Sequence, residues 1–429
     1  MPQGPAAVPV APSPGKLTAL TLMAVAVGLV AGMGASLFVK VEHMLQHWLW
    51  HSLPMRLGQE HAPNWLVIAL LVAGALIVYL ATKLPGHGGH SPLDGFGVDI
   101  GPREVTSVVI AALGSLAFGA VLGPEAPLMA VGTALGALAF GRMGGQVRQV
   151  MMVAGAMAAI GSIFGNPLIS AILLLEFAMA GGAIANMAVM LPALASLASS
   201  YVLQVGFADW SGIGEAQLGL PGLAAYPEVQ TVDVAASVPV AVVVAVVAIA
   251  ARLLAERVAA QAKRSPLPTL VGAAVIVAVS AVVVAEVTGG DLGLVLFSGQ
   301  SAMPDYLALA SIGPALVILI GKFIAYAASL GSGFRGGLVF PAVALGAILA
   351  SITGLLLDGT SVPALAAASI AAATVGGTRL PFMALTLAVI LTIPAGGATT
   401  VLAVIGTLVG MLTRLVAEQR LPSLVPHRH

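Results

Sequence analysis

Residues 337–346 read GLVFPAVALG, and residues 123–132, GPEAPLMAVG, repeat the same placement of glycine and proline. A second pair, NPLISA at 166–171 and LPFMAL at 380–385, keeps the same offset of 214 residues (341 − 127 and 381 − 167). A shared offset indicates an internal duplication. Half-length repeats in a membrane protein are typical of transporter folds of inverted topology, which bind their substrate between the repeats near the membrane midplane. The alternative is that these glycines serve only close helix packing.

The composition explains why a membrane is expected. Only 8% of the 429 residues are charged and 59% are hydrophobic, whereas an ordinary soluble domain has about 25% charged residues. The mean hydropathy is +1.05, and a soluble protein of this size could not hide so much apolar surface. The net charge is zero, without a basic tract, so we expect no nucleic-acid partner. Cysteine is absent, which excludes disulfides.

Apolar stretches recur along the chain and predict an all-α membrane protein with two inverted repeats of tilted and broken transmembrane helices. Several stretches are long enough to cross a bilayer, namely residues 17–39, 64–82, 183–206, 235–251, 268–288 and 306–331. Others, such as 128–140 and 382–393, are too short to cross it. These predict half-helices that begin or end inside the membrane, where protein or a water-lined cavity must satisfy the backbone.

Proline content and the repeat together predict the domain organisation. We expect a disordered Pro-rich tail at residues 1–15 and a single membrane domain at residues 16–429. Within that domain, repeat one covers about 16–210 and repeat two about 211–417. We expect no C-terminal regulatory domain.

Basic residues indicate the orientation of this multi-pass integral membrane protein. The densest basic segment, Arg252–Arg264, predicts a cytoplasmic loop by the positive-inside rule. Lys16 near the start, and Arg414 and Arg420 near the end, predict that both termini are cytoplasmic as well.

Each repeated motif is an elbow of glycine and proline just before a short apolar helix. Glycine lets the backbone approach a ligand closely, and proline is well tolerated in the first helical turn. The unpaired N–H groups and the positive end of the helix dipole then point at the ligand. This arrangement suits a dehydrated anion. Several partial charges bind a permeating ion without trapping it.

The sequence resembles the CLC family of chloride channels and chloride/proton antiporters. GPEAP at residues 123–127 is similar to the family's GxEGP loop, and GSGFRGGLVFP at 331–341 is similar to its GSGxxGGxFxP segment. GHGGHS at 86–91 occupies the place of the GSGIPE loop, and residues 164–176 resemble the helix that ends near two glutamates. The matches keep the family order from about residue 80 to about residue 395.

This resemblance implies a divergent prokaryotic-type member in a bacterial plasma membrane. The partners would be membrane lipid, a second copy in a homodimer with one pore per subunit, and a small inorganic anion. Chloride would be the transported ligand, and no cofactor is implied. The anion would be held by main-chain N–H groups near helix N-termini. The residues that contribute to this site by position, of which Pro124 has no N–H of its own, are Gly123, Pro124, Glu125, Ala126, Gly337, Leu338, Val339, Phe340, His87 and Gly88.

Glu125 is the residue that we expect to gate the pore. It lies between long apolar stretches, and a carboxylate at bilayer depth costs roughly 2.5–3.5 kcal/mol, so such residues are usually functional. In the family this carboxylate occupies the anion's own site. A carboxylate imitates a halide at a helix N-terminus, and protonation removes the charge that keeps it there. The alternative is an interfacial or ion-paired glutamate.

Three departures from the family pattern bear on mechanism. The inner glutamate that feeds protons to the gate in antiporters is Phe177 here, with Glu176 one residue earlier. One residue rotates a helical side chain by about 100°, so a structural role for Glu176 is favoured over a proton path. The pore tyrosine is missing, leaving only the hydroxyl of Thr399 or Thr400. The pore serine is replaced by His87, which either donates to the anion or faces water.

Two cationic residues lie near these motifs. Lys322 sits in a mostly apolar run, where it either makes the site more positive or, as we favour, snorkels to the interface or pairs with an acid. Arg335 lies inside the second motif. It either attracts anions at a pore mouth or caps a loop.

We therefore predict transport of small inorganic anions, chloride above all, through a channel-like or weakly proton-coupled pore. A proton-coupled chloride or fluoride antiporter is the alternative within the family. A secondary transporter of an organic solute on an unrelated inverted-repeat fold is an alternative of another class. It would need a cluster of polar side chains that the apolar runs do not show. The helical spacing of His43, His47 and His51 could bind a metal, but the adjacent Glu42 precedes the first histidine and forms no HExxH pattern. We favour an interfacial helix face and expect neither an enzyme nor a metal site.

Overall fold

The structure, a computed structural model, describes residues 13–95, 97–140, 143–179, 186–211, 219–220 and 222–421. A helix begins at Pro14, within the tail that was expected to be disordered. The rest of that tail, residues 1–12, lies outside the described residues.

The described residues are almost entirely helical, as predicted. The α-helices are α1 (Pro14–His47), α2 (Leu53–Arg56), α3 (Asn64–Ala81), α4 (Val105–Leu116), α5 (Glu125–Ala139), α6 (Gly145–Phe164), α7 (Pro167–Met179), α8 (Met187–Ser211), α9 (Thr231–Arg264), α10 (Pro266–Thr288), α11 (Met303–Leu307), α12 (Ile312–Ser332), α13 (Val339–Leu356), α14 (Val362–Thr378), α15 (Pro381–Thr392) and α16 (Thr399–Arg420). A π-helical turn joins α1 to α2, and short 3-10 turns occur at Pro92–Asp94, Leu292–Leu294 and Ile393–Ala395.

Nine helical segments of the described chain are long and apolar enough to cross a membrane. Apolar side chains such as Val243, Val246 and Ile276 remain exposed along α9 and α10, as expected for surfaces that face lipid acyl chains. The shorter apolar helices are α4, α5, α7, α14 and α15. Helices α13 and α14 are buried along most of their length, so they form the centre of the fold.

The two halves of the chain pack in the same pattern. Helix α5 lies on α6, and α6 lies on α8, just as α13 lies on α14 and α14 lies on α16. Helix α1 packs against α6 and α8 in the first half, as α9 does against α14 and α16 in the second. The matching helix contacts in the two halves agree with the duplication that the 214-residue offset indicates in the sequence.

Close helix packing explains one pair of the repeated glycines. A side-chain carbon on Gly132 would collide with the backbone of Gly155, and one on Gly346 would collide with the backbone of Ser369. Gly155 and Ser369 are again 214 residues apart (369 − 155). The alternative, that the repeated glycines serve only close helix packing, therefore applies to Gly132, where α5 meets α6, and to Gly346, where α13 meets α14.

The basic segment Arg252–Arg264 was expected to be a loop, and this was wrong. It is the C-terminal part of α9, which runs on to Arg264. The i, i+4 pair Arg252–Glu256, with 3.3 Å between Nε and Oε1, stabilises this extension. Arg414 is buried, and its Nε donates to Glu418 at 2.8 Å.

Candidate functional site

The two glycine-and-proline elbows lie side by side. Gly123 N–H donates to the Gly337 carbonyl at 2.8 Å, and Gly337 N–H donates back to the Gly123 carbonyl. This pairing forms an isolated antiparallel bridge. It places the N-terminus of α5, which carries Pro124 and Ala126, beside that of α13, which begins with Val339 and Phe340. The repeat predicted that these elbows would meet, and they do.

Glu125 fills the space between the elbows. Its side chain is 0% exposed, and its Oε1 accepts a hydrogen bond from Phe340 N–H at 3.1 Å. Its Oε2 is also buried but has no hydrogen-bond partner. A side-chain carbon on Gly123 or Gly337 would overlap this carboxylate. A carboxyl group therefore lies at the positive end of α13, in a cradle that only glycine leaves open.

Polar groups on one face of α12 support the loops around this cradle. Tyr326 Oη donates to the Leu338 carbonyl at 2.9 Å, and Ser329 Oγ accepts from Val121 N–H at 3.0 Å. Sequence reasoning did not find either residue. Their spacing with Lys322 (i, i+4 and i+7) in an apolar run was the available signal, because such residues share one helix face.

Lys322 lies on the same face of α12 and was assigned wrongly. It is 0% exposed, so it does not snorkel. Its Nζ donates to three consecutive carbonyls, those of Val295, Leu296 and Phe297, at 3.0, 3.2 and 3.1 Å. These acceptors match the three donors of an ammonium group, which explains how a cation is accommodated without an acid.

Glu176 lies at a different helix N-terminus from Glu125. Its Oε1 accepts from Phe382 N–H and its Oε2 from Met383 N–H, each at 3.0 Å. These are first-turn groups of α15, which normally have no acceptor within their own helix. Glu176 therefore caps α15 from α7.

Two main-chain donors of the GHGGHS loop are paired with neighbouring protein groups. His87 N–H donates to the Leu84 carbonyl at 3.0 Å, and Gly88 N–H donates to Ser107 Oγ at 3.3 Å. The His87 side chain is exposed, and its Nδ1 lies 3.0 Å from the Thr82 carbonyl oxygen. The main-chain N–H groups of His87 and Gly88, two of those expected to bind an anion, therefore each have a protein acceptor.

The threonines suggested as pore hydroxyls lie at the start of α16. Thr399 Oγ1 donates to the Gly396 carbonyl at 2.8 Å, and Thr400 N–H donates to the Gly397 carbonyl at 3.1 Å. Helix α16 packs mainly against α14, α9 and α15. The hydrogen bonds of Thr399 and Thr400 therefore belong to the turn before α16.

The groups between the two elbows are of the kind that binds a small ion. Within the described ranges, no group of three or more His, Asp or Glu side chains is placed to hold a metal ion. What the elbows present is the main-chain N–H of Phe340, the first turns of two helices and one carboxylate. Such a set can hold a small anion or a carboxylate in its place.

A family profile, described as voltage gated chloride channel, matches residues 87–414. Among curated proteins, the chain is 26% identical over 370 residues to "Putative ion-transport protein YfeO" of Salmonella choleraesuis (strain SC-B67), with 83% of this chain and 84% of the relative covered. The protein of the same name from Salmonella paratyphi A (strain ATCC 9150 / SARB42) is 25% identical with the same coverage.

Solved structures share the fold at low sequence identity. A slow cyanobacterial Cl⁻/H⁺ antiporter superposes with a TM-score of 0.75 at 17% identity, covering 96% of this chain and 99% of its own. A CLC-type fluoride/proton antiporter superposes with a TM-score of 0.71 at 19% identity, covering 94% of this chain and 97% of its own. A eukaryotic CLC transporter superposes with a TM-score of 0.70 at 17% identity, covering 94% of this chain and 72% of its own.

Proposed function

Because this chain belongs to the voltage-gated chloride channel family, we propose that it carries small inorganic anions, chloride above all, across the membrane past Glu125. The anion binds between the two elbows, at the place that the Glu125 carboxylate fills. Membership in this family favours an inorganic anion over the organic-solute alternative.

One observation carries this proposal, namely the way in which Glu125 is bound. Its carboxylate lies against Gly123 and Gly337 and accepts from Phe340 N–H at 3.1 Å. Main-chain donors and helix dipoles recognise a negative charge, whether it belongs to a carboxylate or to a halide. The carboxylate therefore stands in for the transported ion.

Gating follows from the charge of Glu125. The ionised carboxylate stays at the positive end of α13 and blocks the path. Protonation removes the charge that keeps it there, and an arriving anion competes for the same donor. Either event frees the cradle, so anion flux rises as the pH falls.

We propose that transport is channel-like or only weakly coupled to protons. The position that feeds protons to the gate in family antiporters holds Phe177, which cannot carry a proton. Glu176, one residue earlier, is occupied by two N–H donors of α15. Proton-coupled exchange of chloride or fluoride is the second candidate. It is favoured by the two antiporters that share this fold.

Flux measurements in proteoliposomes test the proposal. Purified protein is reconstituted with internal chloride, and chloride release is recorded while a pH electrode follows external protons. We expect chloride release well above that of empty liposomes, with little proton movement against it. No release of chloride or fluoride would exclude the proposed function. Proton uptake in a constant ratio to chloride release would establish the antiporter instead.

The assembly and orientation are part of the same proposal. We propose a homodimer with one pore per subunit in a bacterial plasma membrane, with both termini on the cytoplasmic side. The basic end of α9, with Arg257, Lys263 and Arg264, supports the orientation through the positive-inside rule. Chemical crosslinking in native membranes and protease accessibility of a C-terminal tag test the two statements separately.

A further inference from the structure

One exposed side of α9 changes from apolar to basic along its length. Exposed valine and leucine side chains occur on this helix from Val232 to Leu254, which corresponds to about 33 Å of helix at 1.5 Å per residue. The hydrocarbon core of a bilayer is about 30 Å thick. The apolar part of α9 therefore spans that core with a small tilt, and Leu254 marks its boundary.

Arg257 and Arg264 continue this side of α9 beyond the boundary and are called the basic face below. Both side chains are exposed, and the seven residues between them make nearly two helical turns, so the two arginines lie in line. Val246, eleven residues before Arg257, lies in the same line. Arg257 is about 4.5 Å beyond Leu254 along the helix axis. It therefore lies in the headgroup layer, which is roughly 5–8 Å thick on each side of the core.

The basic face lacks a counter-charge in the part of the chain that the structure describes. Neither of its two arginines has a side-chain ion pair there. Two acids at neighbouring helix ends are already paired, since Glu256 Oε1 lies 3.3 Å from Arg252 Nε and Glu418 Oε1 accepts from Arg414 Nε at 2.8 Å. A negative partner for the basic face therefore comes from outside these residues.

We propose that the basic face binds the phosphate group of an anionic phospholipid in the leaflet at this end of α9. A guanidinium group presents a planar set of donors that matches a phosphate. An acyl chain of the same lipid lies along Leu254 and Val246, which are exposed on the same side of the helix. Because a free phosphate ion makes no use of these apolar side chains, their position favours the lipid. This interaction is separate from the proposed transport of anions and does not depend on it.

Native mass spectrometry of the full chain in detergent tests this lipid site. Phosphatidylglycerol and phosphatidylcholine with the same acyl chains are titrated separately, and the ratio of their dissociation constants is measured. We expect native protein to bind phosphatidylglycerol more tightly. Arg257→Gln should reduce that preference about fivefold, as expected for one basic residue at an anionic membrane surface. Arg257→Lys should retain most of the preference, because the charge remains.

Arg56→Gln is the charge-matched control. Arg56 is exposed and precedes α3. The start of α3 lies at the end of α10 that is remote from the basic face, because Asn64 Nδ2 is 3.4 Å from Glu286 Oε1. Removing the charge of Arg56 should therefore leave the preference for phosphatidylglycerol unchanged.

Three results would overturn the site, namely equal affinity of native protein for the two lipids, an unchanged preference in Arg257→Gln, or an equal loss in Arg56→Gln. Glycerol phosphate, which lacks acyl chains, is a further probe. If it displaces the lipid at a comparable concentration, the basic face binds free phosphate and the lipid site is wrong. Lipid preference without chloride flux would keep this site and remove the transport function, whereas flux without lipid preference would remove this site alone.

Discussion

Glu125 and Glu176 are both buried carboxylates of the first repeat that reach a helix N-terminus of the second, yet they are held differently. Glu176 accepts from two N–H groups of α15, one on each oxygen, at 3.0 Å. Glu125 accepts from one N–H group of α13 at 3.1 Å, and its second oxygen has no donor.

This difference in hydrogen bonding fits a structural cap at Glu176 and, on the proposed function, a movable group at Glu125. A buried polar atom without a partner raises the free energy of the folded state by about 1–3 kcal/mol. Moving the Glu176 side chain away leaves two N–H groups of α15 unpaired. Moving the Glu125 side chain away leaves only the Phe340 N–H unpaired, and it takes the partnerless Oε2 out of its buried place. Glu176 therefore fastens α7 to α15. On the proposed function, Glu125 is the carboxylate that an anion displaces.

The largest effect is expected from removing the charge of Glu125. In Glu125→Gln the charge-assisted hydrogen bond, of about 1.5–3 kcal/mol, is lost, so chloride flux in proteoliposomes should rise about tenfold. Its dependence on pH should flatten, because the proposed gating makes native flux rise at low pH through protonation of this carboxylate. The matched variant Glu176→Gln should keep native flux. Equal flux and equal pH dependence in native protein and Glu125→Gln would refute the gate.

A methyl group in the cradle tests whether the anion and the carboxylate share one place. A side-chain carbon on Gly337 occupies the space of the Glu125 carboxylate, and overpacking of this kind costs about 1–3 kcal/mol. Gly337→Ala, introduced into Glu125→Gln, should therefore reduce chloride flux severalfold. The control Gly272→Ala, in the open on α10, should not. Undiminished flux in the double variant would mean that the anion passes elsewhere.

Removing the cap tests the other carboxylate. In Glu176→Gln one oxygen is replaced by an NH₂ group that cannot accept from α15, which should lower stability by about 1 kcal/mol. Thermal unfolding in detergent measures this loss, and a pH electrode records proton movement in the same liposomes as chloride flux. Loss of proton coupling at unchanged stability would instead make Glu176 part of a proton path.

The smallest effect is expected from the support of the Glu125 cradle. Tyr326→Phe removes the bond to the Leu338 carbonyl, worth about 0.5–1.5 kcal/mol, and should change chloride flux by about twofold at most. Tyr306→Phe is a matched control, because its hydroxyl donates to the Leu294 carbonyl at 2.8 Å away from the elbows. Both variants should lose similar stability. An equal change of flux in both would deny Tyr326 a specific role.

Sequence reasoning predicted the architecture because its signals are periodic. Long apolar stretches, short interrupted ones and the 214-residue offset each reflect a structural repeat, and the pairing of Gly123 with Gly337 follows from them. The offset alone could not separate glycines at the site from those at helix crossings, such as Gly132 and Gly346. Both kinds recur for the same reason, since a duplicated fold repeats all of its close approaches.

Other features could not be predicted, because they depend on main-chain groups and turns that the local sequence does not mark. The carbonyls that bind Lys322 belong to a loop about 25 residues earlier in the chain, and no side chain in that loop marks them. The exposure of His87 depends on a turn that places this residue at φ 50°. The helical extension of α9 through Arg264 was missed because charged residues are typical of both loops and exposed helix ends.

The elbows present main-chain atoms to the site, and this affects which substitutions around them can be tolerated. An amide group is the same in every residue, so most side chains around such a site can drift without changing what it offers. The glycines are the exception, because a side-chain carbon on Gly123 or Gly337 would overlap the Glu125 carboxylate. Such drift accounts for a fold shared at a TM-score of 0.75 with only 17% identity.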